Sequence, residues 1–284
     1  MIMKLDYSYL ISPYPYYLML KTSNSSIVIG GIKSPTLREI WSPDITYQRY
    51  QIFISQLLMN PQKYYEDKPE KLDWYNSLNK EEQNRLDMMH IIEEDVTLQK
   101  DYERMLNFFF VENVFWNTTY KVFFVLGNNT YYDKEKQYCY TITEGGEKKP
   151  TNNFGYISKN TLSIVCDIIL QRCGVNNNKN DEKPKFKNKM AEYIWNKQHN
   201  DTNKSKLKGD KYLELPNIIS SYSSFNHSNI GILNIWDMTI YQLCDQFQRE
   251  RFNNCYDISK YQVGYYGDKD DKFDSDKWLK SINI

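Results

Sequence analysis

His90, His199 and His227 are all that this 284-residue chain offers for imidazole chemistry. His90-Ile91-Ile92-Glu93 sets a base and a carboxylate three residues apart, which is one helical turn and one face. A zinc site needs three or four such ligands, and no second pair stands at metal-ligand spacing, so His90 and Glu93 read as a solvated helix face. Gly30-Gly31-Ile32-Lys33-Ser34 has the residue types of a phosphate loop without its spacing. That loop runs Gly, four residues, then Gly-Lys-Ser/Thr, so that successive amides wrap the phosphates. Here Ile32 separates Gly31 from Lys33, and Pro35 follows. The acidic run Asp268–Asp276 fails as an EF-hand, because its sixth position is Phe273 instead of Gly and its twelfth is Leu279 instead of Glu. Carboxylate pairs such as Glu93-Glu94 are ordinary on solvated helices. No GxSxG, GxGxxG or HExxH occurs. The reading is therefore non-enzymatic, with no cofactor and no metal, and it moves the weight toward binding or assembly.

Whatever the chain binds must be positioned by its regular elements. Residues 14–32 read as a β-hairpin around the turn-rich TSNSS. Ser34-Pro35 predicts the start of a short helix, with Ser as cap and Pro at the first position. Asp44 is then placed to cap a helix carrying Tyr47, Tyr50, Phe53, Ile54, Leu57 and Leu58 at three-and-four spacing, which Asn60-Pro61 ends. Asn79-Lys80-Glu81-Glu82 is a capping box, and Asp95 caps a helix with Leu98, Tyr102, Met105, Leu106 and Phe109 on one stripe. Over residues 114–143 the period changes, β-branched and aromatic residues cluster, and Gly127-Asn128-Asn129 marks a turn. This predicts a hairpin or small meander that Glu144-Gly145-Gly146 closes. A helix through TLSIVCDIILQRC follows, with Gly174 as its left-handed C-cap.

The predicted class is α+β, predominantly helical, with an N-terminal β-hairpin and a central β insertion. Residues 1–174 form an N-terminal α+β domain with the insertion near 114–143. Residues 175–211, rich in Asn and Lys, form a polar linker with one helix around 186–198. Residues 212–284 form a C-terminal helical segment, in which Pro216 opens a helix through Phe225.

Composition bounds the partners. Lys+Arg and Asp+Glu are both 36, so the net charge is zero and exerts no bulk pull on nucleic acid or anionic lipid. Aromatics are abundant, with 25 Tyr, 13 Phe and 6 Trp, and the Tyr, Lys, Asn and Ile content follows first from AT-rich codons. Lys/Tyr interleaving with balanced charge and without an RNA-binding motif argues against nucleic acid as a partner. The five cysteines, at 139, 166, 173, 244 and 255, are odd in number and form no CxxC pair, so they read as reduced thiols. The N-terminal apolar run is broken by Asp6, Ser12 and two prolines, and no stretch approaches the ~18–20 apolar residues of a membrane span. The expected location is the cytoplasm.

The most regular stretch is GILNIWDMTIYQLCDQFQR, residues 231–249. Asn234 is placed to cap a helix whose first turn holds Asp237 against the positive end of the dipole. Trp236, Ile240, Leu243 and Phe247 line one stripe, with Asp237, Tyr241 and Asp245 on the flank and back. Ordinary core explains the stripe by itself. The alternative is a partner face, with Trp236, Asp237, Tyr241, Asp245 and Phe247 as its candidate residues.

NIWDMTIYQLCDQFQR resembles a NIWDLTIYQL-DQF pattern in tail-module proteins of long-tailed phages and prophages of low-GC Gram-positive bacteria. In those proteins a WG-x-KFDF-like tail follows, and its counterpart here is Tyr266-Gly267-Asp268-Lys269-Asp270-Asp271-Lys272-Phe273-Asp274. Ile32-Lys33-Ser34-Pro35-Thr36-Leu37-Arg38-Glu39-Ile40, Phe109-Phe110-Val111-Glu112-Asn113 and Cys166-Asp167-Ile168-Ile169-Leu170-Gln171 carry further similarity in the same order. The resemblance implies a tail-assembly-chaperone-like protein in the cytoplasm of the bacterial host, whose partners are the tape-measure or tube subunits of the tail. The alternative expectation is a phage protein engaging host immunity, as inhibitor or trigger of a defence nuclease or receptor.

Overall fold

The computed structural model describes residues 3–21, 26–133, 135–175, 214–268 and 273–279. The expected helix at 186–198, the polar linker around it, His199 and the hairpin-turn residues 22–25 lie outside the described residues. The chain divides into two compact units, Met1–Pro35 with Glu39–Val175, and Thr36–Arg38 with Asn176–Ile284. The fold is α+β, with helix outweighing strand, an N-terminal hairpin and small central sheets, as the sequence predicts.

The first unit opens with α1 (Tyr7–Ile11) and the antiparallel pair β1 (Tyr16–Lys21) and β2 (Ser26–Ile32), which shifts register between Leu18 and Met19. Leu18, Ile29 and Ile32 bury one face of this hairpin. The short helix α2 (Leu37–Ile40) begins later than expected. Ser34 is not its cap: the buried Ser34 hydroxyl donates to the Arg172 carbonyl at 2.7 Å. In α3 (Thr46–Leu57) the three-and-four spacing buries Tyr50, Phe53 and Leu57. Ile45 holds its cap position without a side-chain bond, so Asp44 does not cap it either.

Asn60-Pro61 ends α3 and also starts α4 (Pro61–Glu66), where the Asn60 side chain accepts from the Lys63 amide at 2.9 Å. Next come α5 (Pro69–Ser77), α6 (Lys80–Arg85), α7 (Met88–Glu94) and α8 (Val96–Phe109). The expected capping box is present on α6, with both Asn79–Glu82 bonds at 2.9 Å. Asp95 caps α8, accepting from the amides of Thr97 and Leu98. Tyr64, Tyr65, Tyr75 and Ile91 form a satellite core beneath these short helices. Beside it the Lys68 ammonium donates to the Tyr64 hydroxyl at 2.7 Å and to the Asp95 carboxylate at 3.1 Å.

The β insertion is larger than expected. β3 (Asn113–Asn117), β4 (Val122–Leu126) and β8 (Phe154–Ile157) form one antiparallel sheet. β5 (Thr130–Asp133), β6 (Tyr138–Ile142) and β7 (Lys148–Pro150) form a second. Glu144-Gly145-Gly146 therefore does not close the insertion. It is the β6–β7 turn, with the Gly146 amide donating to the Thr143 carbonyl at 2.8 Å and Gly146 at φ +80°. Two more strands follow it. Gly155 in β8 lies so close to β2 that a Cβ there would sit 2.1 Å from the Ile29 carbonyl oxygen.

The unit ends with α9 (Leu162–Arg172) and the expected left-handed Gly174 at φ +70°. Two residues at the end of α9 hold the N-terminal segment. Gln171 bonds the amide of Leu5 and the carbonyl of Met3, and the fully buried Arg172 donates to the carbonyls of Tyr9, Ser12 and Tyr14. All five cysteines are free thiols. Among the described residues no helix is long and apolar enough to cross a membrane.

Candidate partner-binding helix

The second unit places the five residues of the expected partner face. It begins with α10 (Leu215–Phe225), which buries Leu215, Ile219 and Tyr222. Asn226 then organises the following loop. Its amide donates to the carbonyls of Tyr222 and Ile230, and its oxygen accepts from the amides of Ser228 and Ile230. A turn of 3₁₀ helix, Ile235–Asp237, precedes the 27-residue helix α11 (Ile240–Tyr266).

The long helix does not start at Asn234, whose side chain makes no cap bond. It starts at the buried Thr239, whose hydroxyl accepts from the Gln242 amide at 3.2 Å while Gln242 accepts from the Thr239 amide at 3.0 Å. Thr and Gln at this spacing form the reciprocal capping box, so the capping signal lay five residues beyond the one first read. Residues 36–38 support this start. Thr36 bridges Thr239 in antiparallel fashion, the Leu37 amide donates to the Met238 carbonyl at 2.9 Å, and Arg38 grips one Asp237 oxygen at 2.8 and 3.0 Å.

Burial separates the five candidates. Trp236 is half-buried, and Asp237 is exposed and paired with Arg38. Tyr241 is buried, and Asp245 is fully buried with its carboxylate accepting from Arg249 at 3.3 Å and Gln246 at 3.1 Å. Phe247 is half-buried, with the Arg251 guanidinium 5.7 Å from its ring. Tyr241 and Asp245 therefore present no surface to a partner. Beside them, burial and the neighbouring Asp245 carboxylate push the Cys244 thiol up to about 11, which disfavours the reactive thiolate.

Exposed apolar side chains also lie further along the same helix, within the expected C-terminal helical segment. Ile258, Tyr261 and Tyr265 are 60, 63 and 84 % exposed and stand at i, i+3 and i+7. Phe247, Ile258, Tyr261 and Tyr265 share one four-and-three register, the period at which one helix lies along another, with the polar Arg251 and Asn254 interrupting it. Another face of the same half is already covered. Tyr256 stacks on Phe273 with centroids 5.6 Å apart, its hydroxyl donates to the Ser275 carbonyl at 2.9 Å, and the Lys277 ammonium lies over Phe252. One face is clipped by the chain's own C-terminal segment, and the Ile258–Tyr265 face is open to solvent.

The groups first weighed for chemistry are otherwise engaged. His90 faces Asp87 at 3.2 Å, and Glu93 pairs with Lys121 at 3.1 Å. Burial raises the Asp87 pKa, but the His90 amide and the side chains of Lys159 and His90 outweigh it and hold the carboxyl below its ordinary value. Lys33 of the rejected phosphate loop pairs with Glu39 at 2.7 Å. Among the described residues no group of three His, Cys, Asp or Glu side chains is arranged to hold a metal.

No curated protein and no solved structure matches the chain. Residues 202–283, which contain α10, α11 and the clipping segment, match the family model described as the YomV second domain. That family is of phage or prophage type, and the similarity supports a phage-associated protein.

Proposed function

We propose that this protein is a non-catalytic phage protein that binds a tail protein, the tape-measure or tube subunit, during assembly. The observation that carries the reading is the open Ile258–Tyr261–Tyr265 seam on the second half of α11. A helix of this length spans about 40 Å, and its exposed seam fits an amphipathic partner helix. Tyrosine suits such a face, because a stiff ring covers much area with few rotors to freeze. The flanking charges balance, with Arg251 and Lys260 against Glu250 and Asp257. That favours a protein partner over a phosphate backbone, which would call for a basic stripe.

The test is affinity capture of the tagged full chain from phage-producing cells, with bound proteins identified by mass spectrometry. Wild type is expected to retain tape-measure or tube protein, and a chain carrying Ile258→Glu with Tyr265→Ala is expected to lose it while its melting is unchanged. Recovery of a host defence protein in place of tail protein overturns the assembly role. Capture undiminished by the double variant overturns the seam.

A further inference from the structure

The first unit contains a cavity of about 510 Å³ where its two three-stranded sheets diverge. Small-molecule sites occupy roughly 300–1,000 Å³. Strand alternation builds it: Phe123 of β4 is fully buried on one face, while Val122 and Phe124 turn to the other and line the cavity. Six rings form its walls, those of Tyr120, Phe124, Tyr132, Tyr138, Phe154 and Tyr156.

Phe124 is the hub. Its ring centroid lies 5.3 Å from Phe154, 5.5 Å from Tyr132 at 78°, and 5.9 Å from Tyr120. Rings wedged in this way are held as fixed platforms. Tyr120 and Tyr156 remain 57 and 36 % exposed and keep ring surface open to a ligand.

The polar part of the lining is uniform in kind. Gln137, Thr151 and Asn152 join the phenols, and among the described residues no charged side chain lines the cavity. Among the described residues, the hydroxyls of Tyr120, Tyr132, Tyr138 and Tyr156 make no hydrogen bond. Gln137 uses its amide nitrogen on Thr119 at 3.0 Å, and Thr151 accepts from the Asn153 amide at 3.1 Å. Phenols, amides and the threonine hydroxyl can each donate or accept.

Such a lining selects by exclusion. A charged ligand would lose its hydration without meeting a counter-charge. A proline-rich peptide offers carbonyl acceptors in a fixed register and needs matching donors only. A sugar ring offers both complements at once. Its C–H face carries partial positive charge that suits the negative face of an aromatic ring, and its hydroxyls donate and accept around the rim.

We propose that this cavity binds a neutral oligosaccharide, stacked on Tyr120 and Tyr156 and oriented by Gln137, Thr151 and Asn152. The proposal is independent of the α11 seam. The experiment is titration calorimetry of the full chain against neutral α- and β-linked oligosaccharides of glucose, galactose and N-acetylglucosamine, with a PxxP peptide as counter-probe. At least one saccharide is expected to bind. Tyr120→Ala and Tyr156→Ala should each weaken it about tenfold, which is ~1.4 kcal/mol, and Tyr120→Phe should largely retain it. Tyr120 lies in a turn, so its variants also control for damage to β8. No saccharide binding at millimolar concentration overturns the proposal, as does binding indifferent to both alanine variants or binding of the peptide alone.

Discussion

Arg172→Met should free the N-terminal segment from the first unit. Arg172 has no exposed surface, and its guanidinium donates to three backbone carbonyls, those of Tyr9, Ser12 and Tyr14. Burial pushes its pKa below the ordinary guanidinium value, yet arginine stays charged at any working pH. Hydrogen bonds from a charged donor each contribute ~1.5–3 kcal/mol, a gross loss of roughly 5–9 kcal/mol for three. Two terms offset it. Methionine is not subject to the desolvation cost of a buried cation, which is several kcal/mol. Tyr9 and Tyr14 are also exposed residues, so water replaces part of the lost donor set. The net destabilisation should be ~2–4 kcal/mol. Urea unfolding followed by circular dichroism measures it, and hydrogen exchange should localise the earliest loss of protection to residues 3–15. A change below about 1 kcal/mol, with the segment still protected, would refute the view that Arg172 is its tether.

Two further outcomes follow from close contacts elsewhere in that unit. Gly155→Ala would place a Cβ 2.1 Å from the Ile29 carbonyl oxygen and 2.5 Å from that of Val28. Backbone on both counts leaves no side chain to swing away, so the cost should exceed the ~1–3 kcal/mol of ordinary overpacking, and an unchanged thermal melt would count against the β2–β8 approach. Asp95→Asn keeps the helix cap and removes the ion pair with Lys68. Burial raises the Asp95 pKa, but the Lys68 ammonium, the Leu98 amide and the Tyr64 hydroxyl outweigh it and hold the carboxyl below its ordinary value. A depressed carboxyl stabilises the fold above its unfolded pKa of ~3.9 and loses that contribution as pH falls through the folded value. Wild type should therefore melt higher than the variant at neutral pH, with the gap closing in acid; a gap constant with pH would contradict the pairing.

What the sequence revealed depended on how local each signal was. Asn79 with Glu82, Asp95 before α8, and Gly174 after α9 are fixed by neighbours within a helical turn, and all three are present. Ser34 was misread because its partner, the Arg172 carbonyl, is 138 residues distant. β7 and β8 were missed because Lys148–Pro150 is wholly exposed and β8 has only four residues, one of them glycine. The open seam on the second half of α11 was not singled out for a related reason. Its solvated faces put polar residues between Ile258, Tyr261 and Tyr265, and its apolar positions are too sparse to mark a face in the sequence. Of the expected site residues, Tyr241 and Asp245 lie on α11 and are buried. The aromatic cavity was illegible because its rings come from strands that pair across the insertion, and tyrosine abundance is already explained by codon composition.

The assignment of residues 36–38 to the second unit bears on how the gene can be cut. A fragment beginning after residue 175 lacks Thr36, Leu37 and Arg38, and with them the strand bridge to Thr239, the donor for the Met238 carbonyl and the cation on Asp237. The start of α11 would then be left without its upstream support, although every residue of the helix itself is present. Exchanging the C-terminal coding segment between relatives thus carries a hidden requirement for three codons near the other end of the reading frame. A chimera that keeps those codons matched to the new Met238–Thr239 region should express as folded protein more readily than one joined at the visible boundary alone.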